Sequence, residues 1–371
     1  MRKVRMLDLT EQYKNMREEI LETIDEVISS SHFILGENVK KLEEDIAHLS
    51  NVNHGIGVAN GSDAIHIALQ AAGVKEGDEV IAPTFTFFAT AGSIARLGAK
   101  PVFVDIDPIT FNINTSEIEK AITDKTSAIV PVHLYGQMAD MTIIKDIANK
   151  YGLAVIEDAA QAIDAEYQGY KPGEIGTAAT YSFFPTKNLG AYGDGGMIVT
   201  HNDEIAEKSK VIRVHGSKPK YHHHVLGYNS RLDELHAAVL NVKFKKLSDY
   251  SKLRREKAEF YSNRLAELVS ENVTIPVEKE GNYHVFHQYT IRAEKRDELK
   301  DYLKENGIDS MVYYPNSLHL QPVFKYLGYK EGDFPVSEKA TQEVLSLPMY
   351  PELPKEDQEY IIEKIVEFYN K

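Results

Sequence analysis

The run Leu153-Ala154-Val155-Ile156-Glu157-Asp158-Ala159-Ala160-Gln161 decides how this chain folds. Its apolar part does not alternate with polar residues, so both faces need cover, as in a strand inside a parallel sheet. A helical pattern, Met141–Tyr151, precedes it. Working outward, short β-rich runs recur at Gly55–Ala59, Val80–Ala82, Pro101–Val104, Ala128–His133, Thr180–Phe184 and Met197–Thr200. Between the first two, Ser62–Ala72 carries apolar residues at helical spacing. Strands alternating with helices predict crossover units and an α/β fold whose sheet is mostly parallel.

After Asp233 the pattern changes. Glu234 to Leu268 is charge-laced, contains neither Gly nor Pro, and predicts one long helix leading out of the sheet domain. Beyond it, a strand at His284–Arg292, a helix at Asp297–Asn306, a strand at Asp309–Tyr314 and a helix at Glu356–Tyr369 predict a smaller C-terminal α/β domain. The boundary is placed at residue 245, giving a large domain over 1–245 and a small one over 246–371.

The 371 residues include no cysteine, which excludes disulfide frameworks, thiolate zinc sites, iron–sulfur clusters and a cysteine nucleophile together. Lys and Arg number 42 against 56 Asp and Glu, a net charge of −14. That is the wrong sign for a nucleic-acid binder. The first residues meet Asp8 and Glu11 before any apolar run develops, so no secretory signal is expected. No stretch reaches the ~20 apolar residues of a membrane helix. The expectation is a cytoplasmic protein without nucleic-acid or membrane partners. Against the acidic whole, Lys208 to Leu232 holds no Asp or Glu but contains Lys208, Lys210, Arg213, Lys218, Lys220 and Arg231. Such a stretch is either an ordinary basic loop or a surface facing an anion.

Four signals sit at strand ends, where open α/β folds bind ligands. Asn60-Gly61-Ser62-Asp63 joins a strand to a helix; glycine permits close approach, Ser62 is a candidate cap, and the free amides suit a phosphate. Glu157-Asp158 places two carboxylates at the end of a buried strand, where an ionised acid needs a cationic partner such as a pyridinium, a metal or an arginine. Tyr181-Ser182-Phe183-Phe184-Pro185-Thr186-Lys187-Asn188-Leu189-Gly190 sets a lysine just past a strand. Held in a cleft, its amine can lose its proton and form an imine with an aldehyde. The glycines at 190, 193, 195 and 196 precede a strand and not a helix, so they are no dinucleotide fingerprint. Finally, Pro83-Thr84-Phe85-Thr86-Phe87-Phe88 offers an aromatic face. Each feature alone has an ordinary structural explanation. Jointly they supply a phosphate cup, a pyridinium partner, a stacking face and an imine-forming amine, the contacts that pyridoxal 5′-phosphate (PLP) requires.

At this point the sequence resembles the DegT/StrS family of sugar-nucleotide aminotransferases, PLP enzymes of fold-type I. The likeness runs from about Leu7 to the C-terminus. It rests on Ala59-Asn60-Gly61-Ser62-Asp63-Ala64, Pro101-Val102-Phe103-Val104-Asp105, Val132-His133-Leu134-Tyr135-Gly136-Gln137, Glu157-Asp158-Ala159-Ala160-Gln161, the Ser182–Gly196 block and Leu345-Ser346-Leu347-Pro348-Met349. The resemblance implies that Lys187 carries the cofactor through an imine and that Asp158 pairs with the pyridine nitrogen. It further implies Gln161 on the ring hydroxyl, Phe87 stacked on the ring, and Gly61, Ser62 and Ser182 on the phosphate. Asn229 is implied to reach the phosphate of a neighbouring subunit, hence a homodimer with shared sites. Relatives with histidine in place of the lysine are dehydratases; Lys187 is intact.

Gly227-Tyr228-Asn229-Ser230-Arg231-Leu232-Asp233-Glu234 resembles members acting at C-3 of the sugar, although His236 stands where a glutamine is common. Tyr221-His222-His223-His224 resembles enzymes making 3-amino-3,6-dideoxyhexoses on a dTDP carrier. The implied reaction moves an amino group from L-glutamate to a dTDP-3-keto-6-deoxyhexose. Arg231, Tyr221, His223, Tyr313, Tyr314 and His319 are the expected substrate contacts. Three adjacent histidines on an extended chain point to alternate sides and have no acid in their segment, so no metal site is expected there. The alternatives are a C-4 aminotransferase on a 4-keto sugar and a PLP-binding regulator without turnover.

Overall fold

The computed structural model describes residues 2–269 and 271–371. All seven predicted sheet runs are strands. They are β1 (His54–Val58), β2 (Glu79–Pro83), β3 (Lys100–Val104), β4 (Thr126–Ile129), β5 (Ala154–Asp158) and, after the short β6 (Glu166–Tyr167), β7 (Ala178–Ser182) and β8 (Gly196–Thr200). The sheet order is β1-β8-β7-β5-β4-β2-β3. Only β8 is reversed: it pairs antiparallel with both β1 and β7, and the remaining pairs are parallel. The C-terminal ends of β1, β2, β5 and β7 therefore share one edge.

Both sheet faces are covered, as the unbroken apolar runs require. Ile81, Val155, Met197 and Val199 join one core, while their neighbours Val80, Ile156 and Ile198 join the core on the opposite face. Among the described residues, eight α-helices belong to this part of the chain. They are α1 (Thr10–Ser30), α2 (Glu37–Leu49), α3 (Gly61–Ala71), α4 (Ala89–Arg96), α5 (Thr115–Ile118), α6 (Met141–Tyr151), α7 (Asp203–Ile212) and α8 (Glu234–Phe244). Glu234, buried at the start of α8, accepts hydrogen bonds from the amides of Gly36 (2.9 Å), Asn38 (2.5 Å) and Val39 (3.2 Å). A carboxylate there satisfies the first amides of α2 and faces its positive end.

The rest of the chain comprises α9 (Leu247–Val269), β9 (Val273–Thr274), β10 (Asn282–Tyr283), β11 (Tyr289–Ala293), α10 (Arg296–Glu305), α11 (Pro335–Glu343), β12 (Val344–Leu347) and α12 (Lys355–Tyr369). Strands β12-β11-β9 form a three-stranded antiparallel sheet with its own core. Three expectations are corrected. The single helix over 234–268 is two helices, α8 and α9, parted at Lys245–Lys246 without a breaker residue. The break is tertiary in origin: α8 packs on α1 and α2, whereas α9 packs on β9 and α12. The strand expected at 309–314 is an isolated bridge between Met311 and Ser346; the partner of β11 is instead β12. Residues 284–288 precede β11 and bond to a loop, Val285 N to Gly136 O and Gln288 N to Tyr135 O. We propose the division at 245 for the two domains, with one addition: Val4 pairs with Ile308 and belongs to the small core.

Candidate active site

The shared edge gathers the chemistry. Asp158 closes β5 and is 5% exposed. Thr90 Oγ1 donates to its Oδ2 at 2.7 Å, and the Ala160 amide to its Oδ1 at 3.2 Å. Both donors fix the orientation of the carboxylate. The neighbouring Glu157 turns to the other face, as alternation along a strand demands. There it accepts from the Gly173 and Gly176 amides (3.1 and 2.9 Å) and bonds His133 Nε2 at 2.8 Å. Of the paired acids, one faces the crevice and the other supports the fold.

One strand over, Ser182 ends β7, and its Cβ lies where a Cβ on Gly61 would stand only 2.6 Å away. Glycine at 61 is thus required by close approach. It opens α3, whose N-cap is Asn60, its side chain accepting from Asp63 N at 2.8 Å. Ser62 was the expected cap; it lies inside the first turn instead, leaving its hydroxyl for another partner. The amides at the start of α3 and the Ser182 hydroxyl make an anion cup.

Lys187 stands in the turn after β7, its amide bonded to Phe184 O at 2.9 Å. Burial pushes its amine down to about 8, opposed by the pull of the Asp158 carboxylate. A lysine so placed gives up its proton far more readily than a solvated one, and the neutral amine is the form that attacks an aldehyde. Asn188 fixes the turn: its Nδ2 donates to Val285 O (3.2 Å) and its Oδ1 accepts from His287 Nδ1 (3.2 Å). Burial, with Lys187 and Arg254 nearby, holds His287 well below the usual imidazole range.

Gln161 is clasped between the Tyr135 amide, which donates to its Oε1 at 2.7 Å, and Tyr314 OH, to which its Nε2 donates at 3.1 Å. Tyr135 OH in turn donates to Tyr313 O. Burial and the nearby Asp158 raise the Tyr314 hydroxyl, which stays protonated. Phe87 is 57% exposed, its ring 6.2 Å from that of Tyr314. A large aromatic left uncovered beside Tyr314, whose hydroxyl lies within electrostatic reach of Asp158, offers a face to a flat ring.

These residues fit PLP: an anion cup at Gly61 and Ser182, an anionic partner at Asp158, an open aromatic face at Phe87 and an amine at Lys187. Thr90, Tyr135, Asn188 and His287 were not foreseen; no residue type or spacing distinguishes them before the fold brings them here. His319 is 2% exposed, with Nδ1 bonded to Thr84 Oγ1 (2.8 Å) and Nε2 to Glu338 (3.1 Å), so both ring nitrogens are engaged within the chain. The basic stretch also thins out. Arg213 is buried on Glu43 (2.5 Å) and the Gly57 carbonyl (2.7 Å), while Lys208 and Lys218 pair with Glu204 and Glu207. Arg231 is half-buried and forms no ion pair among the described residues. Asn229 is exposed. Tyr221, 79% exposed, and His223 project on a hairpin closed by the Ser217–His223 pairing. His223 Nδ1 bonds His215 O and His224 Nε2 bonds Lys218 O, so two of the three histidines spend a nitrogen on carbonyls.

A reversed-strand α/β sheet with a lysine, an aspartate and an anion cup at one edge defines a PLP-dependent transaminase of fold-type I. The chain belongs to the DegT/DnrJ/EryC1/StrS aminotransferase family, whose model matches residues 14–366, and is a sugar aminotransferase. It is 68% identical over 99% of its length, and 98% of the relative's, to a Geobacillus stearothermophilus protein named pleiotropic regulatory protein. It is 47% identical to the UDP-N-acetyl-3-dehydro-alpha-D-glucosamine 3-aminotransferase of Acidithiobacillus ferrooxidans, covering 95% of this chain and 94% of that one. It is 40% identical to the dTDP-3-amino-3,4,6-trideoxy-alpha-D-glucose transaminase of Micromonospora megalomicea, covering 96% of each. Among solved structures, S. venezuelae DesV superposes with a TM-score of 0.97 at 38% identity over 100% of both chains. The Bacillus subtilis protein NtdA, with bound cofactor PMP, gives 0.93 at 35% identity, covering 100% of this chain and 86% of that one. No helix among the described residues is long and apolar enough to cross a membrane.

Proposed function

We propose that this enzyme transfers an amino group from L-glutamate to C-3 of a nucleotide-linked 3-keto sugar, a dTDP-3-keto-6-deoxyhexose, leaving 2-oxoglutarate and the 3-amino sugar. The observation that carries the reaction class is the lowered Lys187 amine within electrostatic reach of the buried Asp158, on the sheet edge that also carries Gly61 and Ser182. When bound, PLP supplies an aldehyde that condenses with amines and a ring that accepts the electron pair of a deprotonated carbon. Lys187 Nζ takes the proton from the donor's α-carbon and, in the second half, returns a proton to C-3 of the sugar. Asp158, oriented by hydrogen bonds from Thr90 Oγ1 and the Ala160 amide, would pair with the ring nitrogen. Gln161 orients the ring hydroxyl, Phe87 covers one face, and Gly61, Ser62 and Ser182 hold the phosphate.

C-3 is supported by the names of the relatives at 47% and 40% identity, each of which places the amino group at position 3. A second reading keeps C-3 but exchanges the carrier for a UDP-linked N-acetyl sugar, as the 47% relative's name suggests. Tyr313 and Tyr314 line the sugar side, and Arg231 meets the donor carboxylate or the diphosphate. We also propose a homodimer in which Asn229, Tyr221 and His223 serve the partner's site; the exposed Phe33, Ile34, Leu35 and Leu226 supply apolar surface for it. The test incubates paired 3-keto and 4-keto sugars, on dTDP and on UDP, with L-glutamate and follows the products by mass spectrometry. An amino product from the 3-keto dTDP sugar is the expected result; products from 4-keto sugars alone would overturn the assignment.

A further inference from the structure

Beside the turn that carries Lys187 lies a buried group of charges that the reaction does not use. Lys243, in the last turn of α8, is 3% exposed, and its ammonium donates to the carbonyl of Gly190. The same ammonium lies 5.2 Å from the centre of the Tyr192 ring. Arg254 on α9 is also buried; its Nη1 donates to the carbonyls of Phe286 (3.1 Å), His287 (3.3 Å) and Met349 (3.0 Å). Glu352 is the anion facing both cations, its Oε1 buried without a partner among the described residues. Tyr250 and Lys257 of α9 lie near Glu352, which also lines a pocket with Lys3, Arg5, Asp8, Glu11, Lys14 and Asp357, and Tyr13 of α1 meets Tyr192 edge-on.

Isolating an ammonium from water costs several kcal/mol, and an apolar side chain would fill the same space without that cost. Lys243 is aimed at one carbonyl, and that carbonyl closes the turn at 184–190. A Cβ on Gly190 would stand 2.5 Å from Pro185 O and 2.8 Å from Phe184 O, so backbone meets backbone there. Phe184 O accepts from the Lys187 amide (2.9 Å), and Ala191 N returns to Phe183 O (2.8 Å). The turn is a closed backbone unit, so a displacement of Gly190 is passed to Lys187. On its other side Asn188 docks the turn on Val285 and His287, the strip that Arg254 holds by its carbonyls.

We infer that Lys243 is a positioning residue for Lys187: through the Gly190 carbonyl it fixes the turn that sets where the reactive amine stands, while Arg254 fixes the strip against which that turn is docked. The inference rests on the assignment of Lys187 as the cofactor-bearing lysine. Burial pushes Lys243 itself down to about 8, with Glu352 opposing, a sign of how completely its charge is withdrawn from water.

The test uses the full chain freed of cofactor. PLP is added across about pH 6.5 to 10, imine absorbance is followed in time, and borohydride trapping with peptide mapping identifies the lysine reached. Trapping at Lys187 in the unaltered protein checks the underlying assignment, so its failure is distinguishable from failure of the inference. With Lys243→Met, the turn relaxes and the amine becomes hydrated. The pH midpoint of capture then rises by about one unit or more toward the ordinary lysine range, and capture near neutral pH slows by roughly tenfold. Lys243→Gln, one bond shorter, draws the turn toward α8 and shifts the midpoint in the same direction by less; it decides the matter if the Met variant does not fold. A folded variant with lowered thermal stability but the wild-type midpoint and capture rate would show Lys243 to be structural only and overturn the inference.

Discussion

Thr90 Oγ1 lies 2.7 Å from Asp158 Oδ2 and, among the described residues, has that carboxylate oxygen and the Thr86 hydroxyl, at 3.2 Å, as its partners. The hydroxyl sits on α4, the helix after β2, while the acid ends β5, so the sheet edge and its flanking helix jointly orient one carboxylate. A hydrogen bond to an ionised group contributes about 1.5–3 kcal/mol, so Thr90→Val should lower kcat by roughly 10- to 100-fold. Asp158→Asn keeps the shape and removes the charge, and should cost on the order of 10²–10³ or more. Steady-state kinetics on the two variants checks the ranking; a Thr90 variant as damaged as the Asp158 variant would contradict it.

Lys187 predicts a pH dependence with a definite sign. Its folded-state value of about 8 lies below the ordinary 10.5. The unfolded chain therefore binds more protons between those limits, and the cofactor-free protein gains stability as pH rises from about 8 toward 10.5. Lys243, also near 8, contributes with the same sign. Urea midpoints of the cofactor-free chain at pH values spanning that window measure the effect, and Lys187→Ala should flatten it in part. The same variant should bind cofactor without the imine absorbance.

The sheet was legible because it is written locally: unbroken apolar runs mark doubly covered strands, and Lys187, proposed here as the reactive amine, follows one of them. What stayed hidden depends on contacts far apart in sequence. Glu157 and Asp158 are adjacent acids, and only their position on β5 shows that one binds His133 and two glycine amides while the other meets Thr90. Nothing local separates α8 from α9, since the break follows from which neighbours each packs against. His319 belongs to a motif of aromatic and polar residues that suggested a sugar contact, and only the fold shows its ring nitrogens engaged by Thr84 and Glu338.

Gly61 predicts a steric effect on the seat of the cofactor. A Cβ there would lie 2.6 Å from Ser182 Cβ and 3.1 Å from its hydroxyl oxygen, so α3 and β7 must part for it. Trimming the hydroxyl cannot relieve the clash, because the nearer atom is a Cβ. Gly61→Ala should therefore weaken PLP affinity by about tenfold or more, with the double variant Gly61→Ala/Ser182→Ala no better. Fluorescence titration of cofactor into the two proteins measures this; recovery in the double variant would show that the hydroxyl alone sets the seat.

The shared site proposed for the dimer makes the last prediction. Asn229 is exposed on its own chain, whereas Lys187 lies in the turn at the strand edge, so a site completed by a neighbour takes one residue from each subunit. In a mixture of Lys187→Ala and Asn229→Ala chains, every mixed dimer contains one site damaged twice and one site that is intact. Random exchange into a two-fold dimer should restore about a quarter of wild-type activity, above the sum of the parent variants. If both residues instead served the same chain's site, every site in the mixture would retain one lesion and activity would not rise on mixing. Following activity against time after mixing, with subunit exchange monitored by tagged chains, separates the two arrangements.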